Sequence, residues 1–250
     1  MGDAERLGPG QGLPPWIWAE HEARFQFAAS LVAGRRVVDC ACGFGLGTRH
    51  LAEAGALEVR GYDVSESAVT AARRDVVHDA VTFNVADGRR LPCPTAWADV
   101  YVALETIEHV DDDDAFLREA ARVLRPGGVL VCSTPNRRVT TPGSRLTDQP
   151  VNPCHVREYS ETEFASLLGE HFRALDPYGQ NPCRDDRVRA LTALARVTAP
   201  RIAARANGAL DRVRYWRGGN ASHRVQKVDR RSAYEYLVVV CSDQRTGVPE

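Results

Sequence analysis

The segment Glu105-Thr-Ile-Glu108-His109 holds two carboxylates and an imidazole within five residues. If it forms a helical turn, positions i, i+3 and i+4 share one face and the three groups converge. Like charges that close cost energy unless a cation or hydrogen bonds compensate. Mixed oxygen and nitrogen ligands suit Mg²⁺, Mn²⁺, Fe²⁺ or Zn²⁺. Further along, His155 stands in Asn152-Pro-Cys-His155-Val-Arg-Glu158-Tyr159, after a loop of residues 136–153 that carries Pro142, Gly143 and Pro150. Long loops of this kind form substrate walls. His155 is a candidate fourth metal ligand beside Glu105, Glu108 and His109, or a general base. A structural histidine is the plain alternative.

A second group of residues suits a nucleoside. Gly43-x-Gly45, with Gly47 behind it, follows a short apolar run. Glycines there let backbone approach a ligand, and the following helix offers free N–H groups. The spacing is not the dinucleotide GxGxxG, which disfavours an NAD-type dehydrogenase. Asp63 ends the next strand-like run, where an acid can accept both hydroxyls of a ribose. Asp87 ends the third, next to Gly88, placed to receive an adenine amino group. Either acid alone reads more readily as a helix cap or turn former. All three features in order, at the carboxyl edge of one sheet, point to a ligand site.

The elements that must position these groups alternate. Strands are expected at residues 36–40, 57–63, 81–85, 98–103 and 129–133, with helices at 48–54, 65–75 (capped by Ser65), 111–124 and 164–171 between or after them. The acid run from Asp111 to Asp114 reads as a solvated helix N-terminus. Residues 172–175 suggest a sixth strand, and 236–241 a clear last strand of antiparallel appearance. This alternation implies right-handed crossovers and a Rossmann-like, seven-stranded, mostly parallel sheet with helices on both faces. One domain is expected: N-terminal cap helices over 1–34, the core over 35–180, a basic helical insert or lid over 181–231, and the last strand and tail over 232–250.

With 250 residues and a net charge of −1, the chain has no global field that would favour nucleic acid or a membrane. No apolar run reaches membrane-span length, and residues 1–11 lack the character of a signal peptide. Seven cysteines, an odd number without zinc-ribbon spacing, fit a reduced cytoplasmic protein.

These residues resemble the class I S-adenosylmethionine-dependent methyltransferases. The run Val37-Val-Asp39-Cys-Ala-Cys42-Gly43-Phe-Gly45 is similar to their first motif, and Tyr62-Asp63-Val64-Ser65 to the second. Val85-Ala-Asp87-Gly88 with Leu91-Pro92 is similar to the third, and Leu124-Arg-Pro126-Gly127-Gly128 to the turn before the fifth strand. The resemblance spans roughly residues 16–180 and the last strand. It assigns Asp39, Gly43 and Gly45 to the methyl donor, with both glycines facing its methionine part. It places Asp63 and Val64 at the ribose, Asp87 and Gly88 at the adenine, and Leu104 at the sulfonium pocket. Ala41 stands where many members have Gly, which costs little if φ is negative there. Glu20-His21-x-x-Arg24-Phe resembles an N-terminal helix that closes over the cofactor in some bacterial members. Arg24 is then a candidate partner of the methionine carboxylate, or an ordinary surface arginine.

The Glu105, Glu108, His109 and His155 set resembles two metal-dependent O-methyltransferase groups, those of ubiquinone biosynthesis and of small-RNA ribose 2′-O-methylation. There a divalent metal holds two adjacent oxygens of the acceptor. A cation of this kind lowers the pKa of a bound hydroxyl and holds it in line with the methyl group. The implied activity is O-methylation of a small sugar-containing or polyhydroxylated natural product. The TPN and NPxHxxEY pattern resembles bacterial members of glycan and secondary-metabolite (antibiotic) pathways. Many metal-free relatives also carry Glu-His after this strand, where it caps and packs the next helix. Metal-free N- or C-methylation with His155 or His109 as base, a small-RNA ribose methyltransferase and a non-catalytic scaffold are the alternatives.

Between Arg184 and Arg231 basic residues recur while acids are sparse, and Leu191, Leu194, Ala195 and Val197 suggest a basic amphipathic helix. It reads as a helical lid, a site for an anionic acceptor, or a membrane-docking surface. The absence of a recognised RNA module argues against nucleic acid. A small-molecule acceptor is the expected partner, and a homo-oligomer stays open.

Overall fold

The computed structural model describes residues 15–184, 188, 190–191, 193–194, 223–229 and 232–245. The elements run α1 (Pro15–Ala29), β1 (Arg36–Cys40), α2 (Leu46–Glu53), β2 (Glu58–Asp63), α3 (Glu66–Asp75), β3 (Val81–Val85), β4 (Ala98–Leu104), a 3₁₀ turn (Ile107–His109), α4 (Asp113–Val123), β5 (Leu124–Pro135), α5 (Arg137–Thr140), α6 (Glu161–His171), β6 (Phe172–Arg184), β7 (Gln226–Lys227) and β8 (Ser232–Gln244). The basic helix expected within residues 181–231 lies mostly outside the described residues. Inside that span, β6 runs on to Arg184 and β7 adds a short pair.

All strands join one sheet in the order β3-β2-β1-β4-β5-β8-β6-β7. The first five pair in parallel. β8 enters antiparallel between β5 and β6. The sheet has eight strands where seven were expected. The extra one is the two-residue β7, paired at Tyr178 and Gly179, too short to leave a periodic signal. β5 begins at Leu124 and not at Val129, because Leu124 already pairs with Ala98; the Pro126-Gly127-Gly128 segment bulges out before pairing resumes between Val100 and Val129.

Alternating residues feed two cores. Val37, Val100, Val131 and Val238 pack with α1 and α2 on one face. Val38, Tyr101, Leu130 and Val239 pack with α4 and α6 on the other. A sheet buried on both faces reads as continuous apolar runs, which is why its strands are visible in the sequence. Ser65 caps α3 by accepting from the Ala68 N–H at 3.2 Å. Asp112 caps α4 through Ala115 N–H. Asp113, expected only to face solvent, accepts from Arg157 Nη1 at 2.6 Å and Tyr159 Oη at 2.7 Å and so anchors the distal loop. Of the seven cysteines five are buried, Cys183 is partly buried and Cys154 is exposed. Among the described residues no helix is long and apolar enough to cross a membrane.

Candidate active site

The strand tips β1, β2, β3 and β4 open on a cavity of about 800 Å³, roofed by α1 through Ile17, Trp18, His21 and Phe25. Its floor begins in the loop after β1. Gly43 and Gly45 both have positive φ, +52° and +79°. A Cβ on Gly45 would sit 2.6 Å from the Phe83 ring. Ala41 also has positive φ, +63°. The condition under which alanine was expected to be cheap therefore fails, and this residue carries strain of about 1 kcal/mol.

Asp63 is 3% exposed and lines the cavity. Its Oδ2 accepts from Gly43 N–H at 2.9 Å and its Oδ1 from Ser65 N–H at 2.8 Å, so it pins the glycine loop to the start of α3. Val64, Gly88 and Leu104 also line the cavity. Asp87 is half-exposed there and ion-paired with Arg89 at 2.6 Å. The hydrogen-bonded guanidinium holds the Asp87 carboxyl below its usual range. Arg89, a second cavity residue, carries no motif that marks it in the sequence.

Three expected donor contacts do not line the cavity: Gly45, whose Cβ direction faces Phe83 and Ala72, Asp39 and Arg24. Asp39 is buried and accepts from Thr48 Oγ1 at 2.6 Å, and burial pushes its carboxyl up to about 7. It braces the loop from beneath and does not line the cavity. Arg24 is wholly buried. It donates through Nη1 to Gln180 and stacks 4.3 Å over the Tyr236 ring, while Nε and Nη2 have no hydrogen-bond partner. It is not among the residues that line the cavity.

On the acceptor side the 3₁₀ turn and residues 152–158 meet. Glu108, His109 and His155 place ligand atoms within 4.8 Å of one another. The His rings lie edge to face, 4.8 Å between centroids. A carbonyl only accepts, so His109 Nδ1 donates to Cys154 O at 3.0 Å and its Nε2 holds the lone pair. His155 Nδ1 lies 2.8 Å from Glu158 Oε1 and its Nε2 2.9 Å from Asn152 Nδ2, which fixes the same tautomer. Glu158 is buried, and its Oε2 accepts from Thr140 and Thr141. Neither Glu158 nor Asn152 was singled out from the sequence. Their spacing of i+3 and i−3 from His155 was the available signal.

Glu108 is fully buried. Oε2 accepts from Thr134 Oγ1 at 3.1 Å, and Oε1 has no hydrogen-bond partner. Burial, with the charge of Glu105 added, pushes this carboxyl well above its usual range. An orphaned buried oxygen beside two imidazoles whose Nδ1 atoms are tied to oxygen acceptors fits a divalent cation. Glu105 stands outside this cluster. The expected helical turn starts only at Ile107, and Glu105 has φ of +51°, which turns its side chain elsewhere.

The strand order with an antiparallel β8, the glycine loop and the acids at the β2 and β3 tips define the class I methyltransferase fold. Residues 38–132 carry a match to the methyltransferase domain family. A relative from Mycolicibacterium smegmatis, named "Probable S-adenosylmethionine-dependent methyltransferase", is 39% identical over 164 residues, covering 66% of this chain and 62% of the relative. The 27-O-demethylrifamycin SV methyltransferase of Amycolatopsis mediterranei is 36% identical over 136 residues, 48% of this chain and 50% of that protein. The chain thus spans 50–62% of the length of these two curated relatives. A solved SAM-dependent methyltransferase from Thermotoga maritima superposes with a TM-score of 0.61 at 17% identity, over 92% of this chain and 93% of the other, and shows the shared fold.

Proposed function

We propose that the protein transfers the methyl group of S-adenosylmethionine to a hydroxyl of a small sugar-containing or polyhydroxylated natural product, one of two vicinal hydroxyls, with a divalent cation held by Glu108, His109 and His155. The observation that carries this reading is the convergence of those three side chains within 4.8 Å on the wall of the cavity at the strand tips. The relative that acts on 27-O-demethylrifamycin SV supports an oxygen acceptor.

Asp63 and Asp87 orient the ribose and adenine, and Leu104 and the glycine loop line the reacting end. His109 presents Nε2, and His155 would present its Nε2 once the Asn152 amide that donates to it is displaced, their rings held by Cys154 O and Glu158. Glu108, whose neutral form burial favours, would supply a negative charge on giving up its proton to an incoming cation. When bound, a divalent cation supplies Lewis acidity to a coordinated hydroxyl. In the displacement an O–C bond forms as the S–C bond breaks, S-adenosylhomocysteine leaves, and the hydroxyl proton passes to water.

A second reading rests on the Asn152–His155–Glu158 chain. It orients the imidazole as a general base, which takes an acceptor proton on Nε2 in place of the Asn152 N–H, without a cation. Dialysis of the enzyme against strong chelator separates the two. The first reading expects S-adenosylhomocysteine to bind, Mn²⁺ binding to vanish in Glu108→Gln and His109→Ala, and chelator to abolish product release from hydroxyl-bearing acceptors. Full turnover in chelator, lost in His155→Ala, would leave the second. In either case Glu158→Gln lowers kcat by roughly tenfold or more while donor affinity holds. Failure of S-adenosylhomocysteine to bind the wild type ends both.

A further inference from the structure

Glu105 is excluded from the Glu108–His109–His155 cluster, yet it lines the same cavity. It is held there against a conformational cost. A left-handed backbone at a non-glycine residue is uncommon and persists where the surroundings over-determine it. Its N–H donates to Ser133 Oγ at 3.0 Å and to Ser133 O at 3.2 Å, and Ser133 Oγ donates back to Glu105 Oε1 at 2.7 Å. Arg24 Nε lies 4.0 Å from the same oxygen, from a guanidinium with no exposure at all. Both neighbours engage Oε1, which leaves Oε2 with no hydrogen bond among the described residues.

The sheet order says what reaches this carboxylate. β1 separates β2 and β3 from β4. A donor whose ribose sits at Asp63 on β2 and whose adenine sits at Asp87 beyond β3 extends its other end over β1 toward the tip of β4, where Glu105 follows Leu104. That end of the donor is an amino acid with an α-ammonium, a compact cation with three N–H donors. A carboxylate held by a serine and backed by a buried arginine matches it. We infer that Glu105 receives the α-ammonium group of the methyl donor and that Arg24, behind it, positions that carboxylate without touching the ligand. The inference rests on the donor proposed above. It removes Glu105 from the metal ligands expected from the sequence, and it gives the cavity a means to prefer a nucleoside that carries an amino-acid arm.

The test compares two probes by calorimetry on wild type and Glu105→Gln. S-adenosylhomocysteine carries the amino-acid arm and 5′-methylthioadenosine lacks it. Glutamine keeps an acceptor for Ser133, and circular dichroism checks that the variant is folded. We expect S-adenosylhomocysteine affinity to fall roughly tenfold or more, with 5′-methylthioadenosine affinity and Mn²⁺ binding unchanged. Equal affinity of S-adenosylhomocysteine for both proteins overturns the inference, and so does an equal loss for the two probes. Loss of Mn²⁺ binding would return Glu105 to the metal shell. If neither nucleoside binds the wild type, the donor itself is wrong, a failure distinct from that of Glu105.

Discussion

Asp39 ends its side chain in a dry place, under the loop that shapes the donor cavity, with Thr48 Oγ1 as its hydrogen-bond donor. Burial raises its carboxyl from the ordinary 3.8 to about 7. Between those values the folded chain keeps a proton that the unfolded chain releases. This residue therefore favours the fold below about pH 4, and that contribution is lost as pH rises to about 7. Asp39→Asn keeps an acceptor for Thr48 and removes the titration. The variant should gain on wild type by a few kcal/mol, to order of magnitude, between pH 5 and pH 8. Urea unfolding at both pH values measures it, and a difference independent of pH would refute the assignment. Neither the burial of Asp39 nor the left-handed turn at Glu105 could be read from residue types. A strand-end acid looks the same whether it faces a ligand or a core, and an ExxEH run is legible as a helical face only if the helix begins at its first residue.

At the scale of elements, one close contact sets how α1 lies on α2. Gly47, at the start of α2, has no room for a Cβ, which would lie 2.0 Å from Cζ of Phe25. The ring rests on bare backbone and brings Trp18 and His21 over the cavity. Gly47→Ala should push the ring away, tilt the roof and weaken S-adenosylhomocysteine binding by roughly tenfold. Phe25→Leu in the same chain should restore part of that loss, as read by calorimetry. No recovery in the double variant would show that Phe25 is not the obstruction. The sequence reveals Gly47 as part of a glycine-rich turn but not what leans on it. Strands β1 to β4 and their helices are legible because apolar runs and breakers mark them. β6 is legible only at its start, since Asp176, Pro177, Gln180, Asn181 and Pro182 interrupt its pattern although its ladder with β8 continues to Arg184.

In the molecule as a whole, Gln180 joins distant parts of the chain. Its buried amide donates to Glu20 O at 2.9 Å and His223 O at 2.6 Å, and its Oε1 accepts from Arg24. The Arg24 contact spans 156 positions. Contacts of that range left no local trace, so Arg24 reads from the sequence as a surface or ligand-facing residue. Gln180→Leu leaves the buried guanidinium without its hydrogen-bond acceptor and should cost roughly 3 kcal/mol. Arg24→Met removes the stranded charge, so the double variant should be less destabilised than the two singles added together. Strict additivity in urea unfolding would mean that the two side chains do not act as a unit.

The late arrival of β8 between β5 and β6 also bears on synthesis. Until residues 232–244 leave the ribosome, two long ladders lack their shared partner, and the apolar row from Leu130 to Cys132 ends at an open edge. Such edges recruit other chains. A nascent chain stalled before Ser232 should therefore be a strong client for chaperones, and premature stop codons in that interval should yield aggregates rather than a smaller working enzyme.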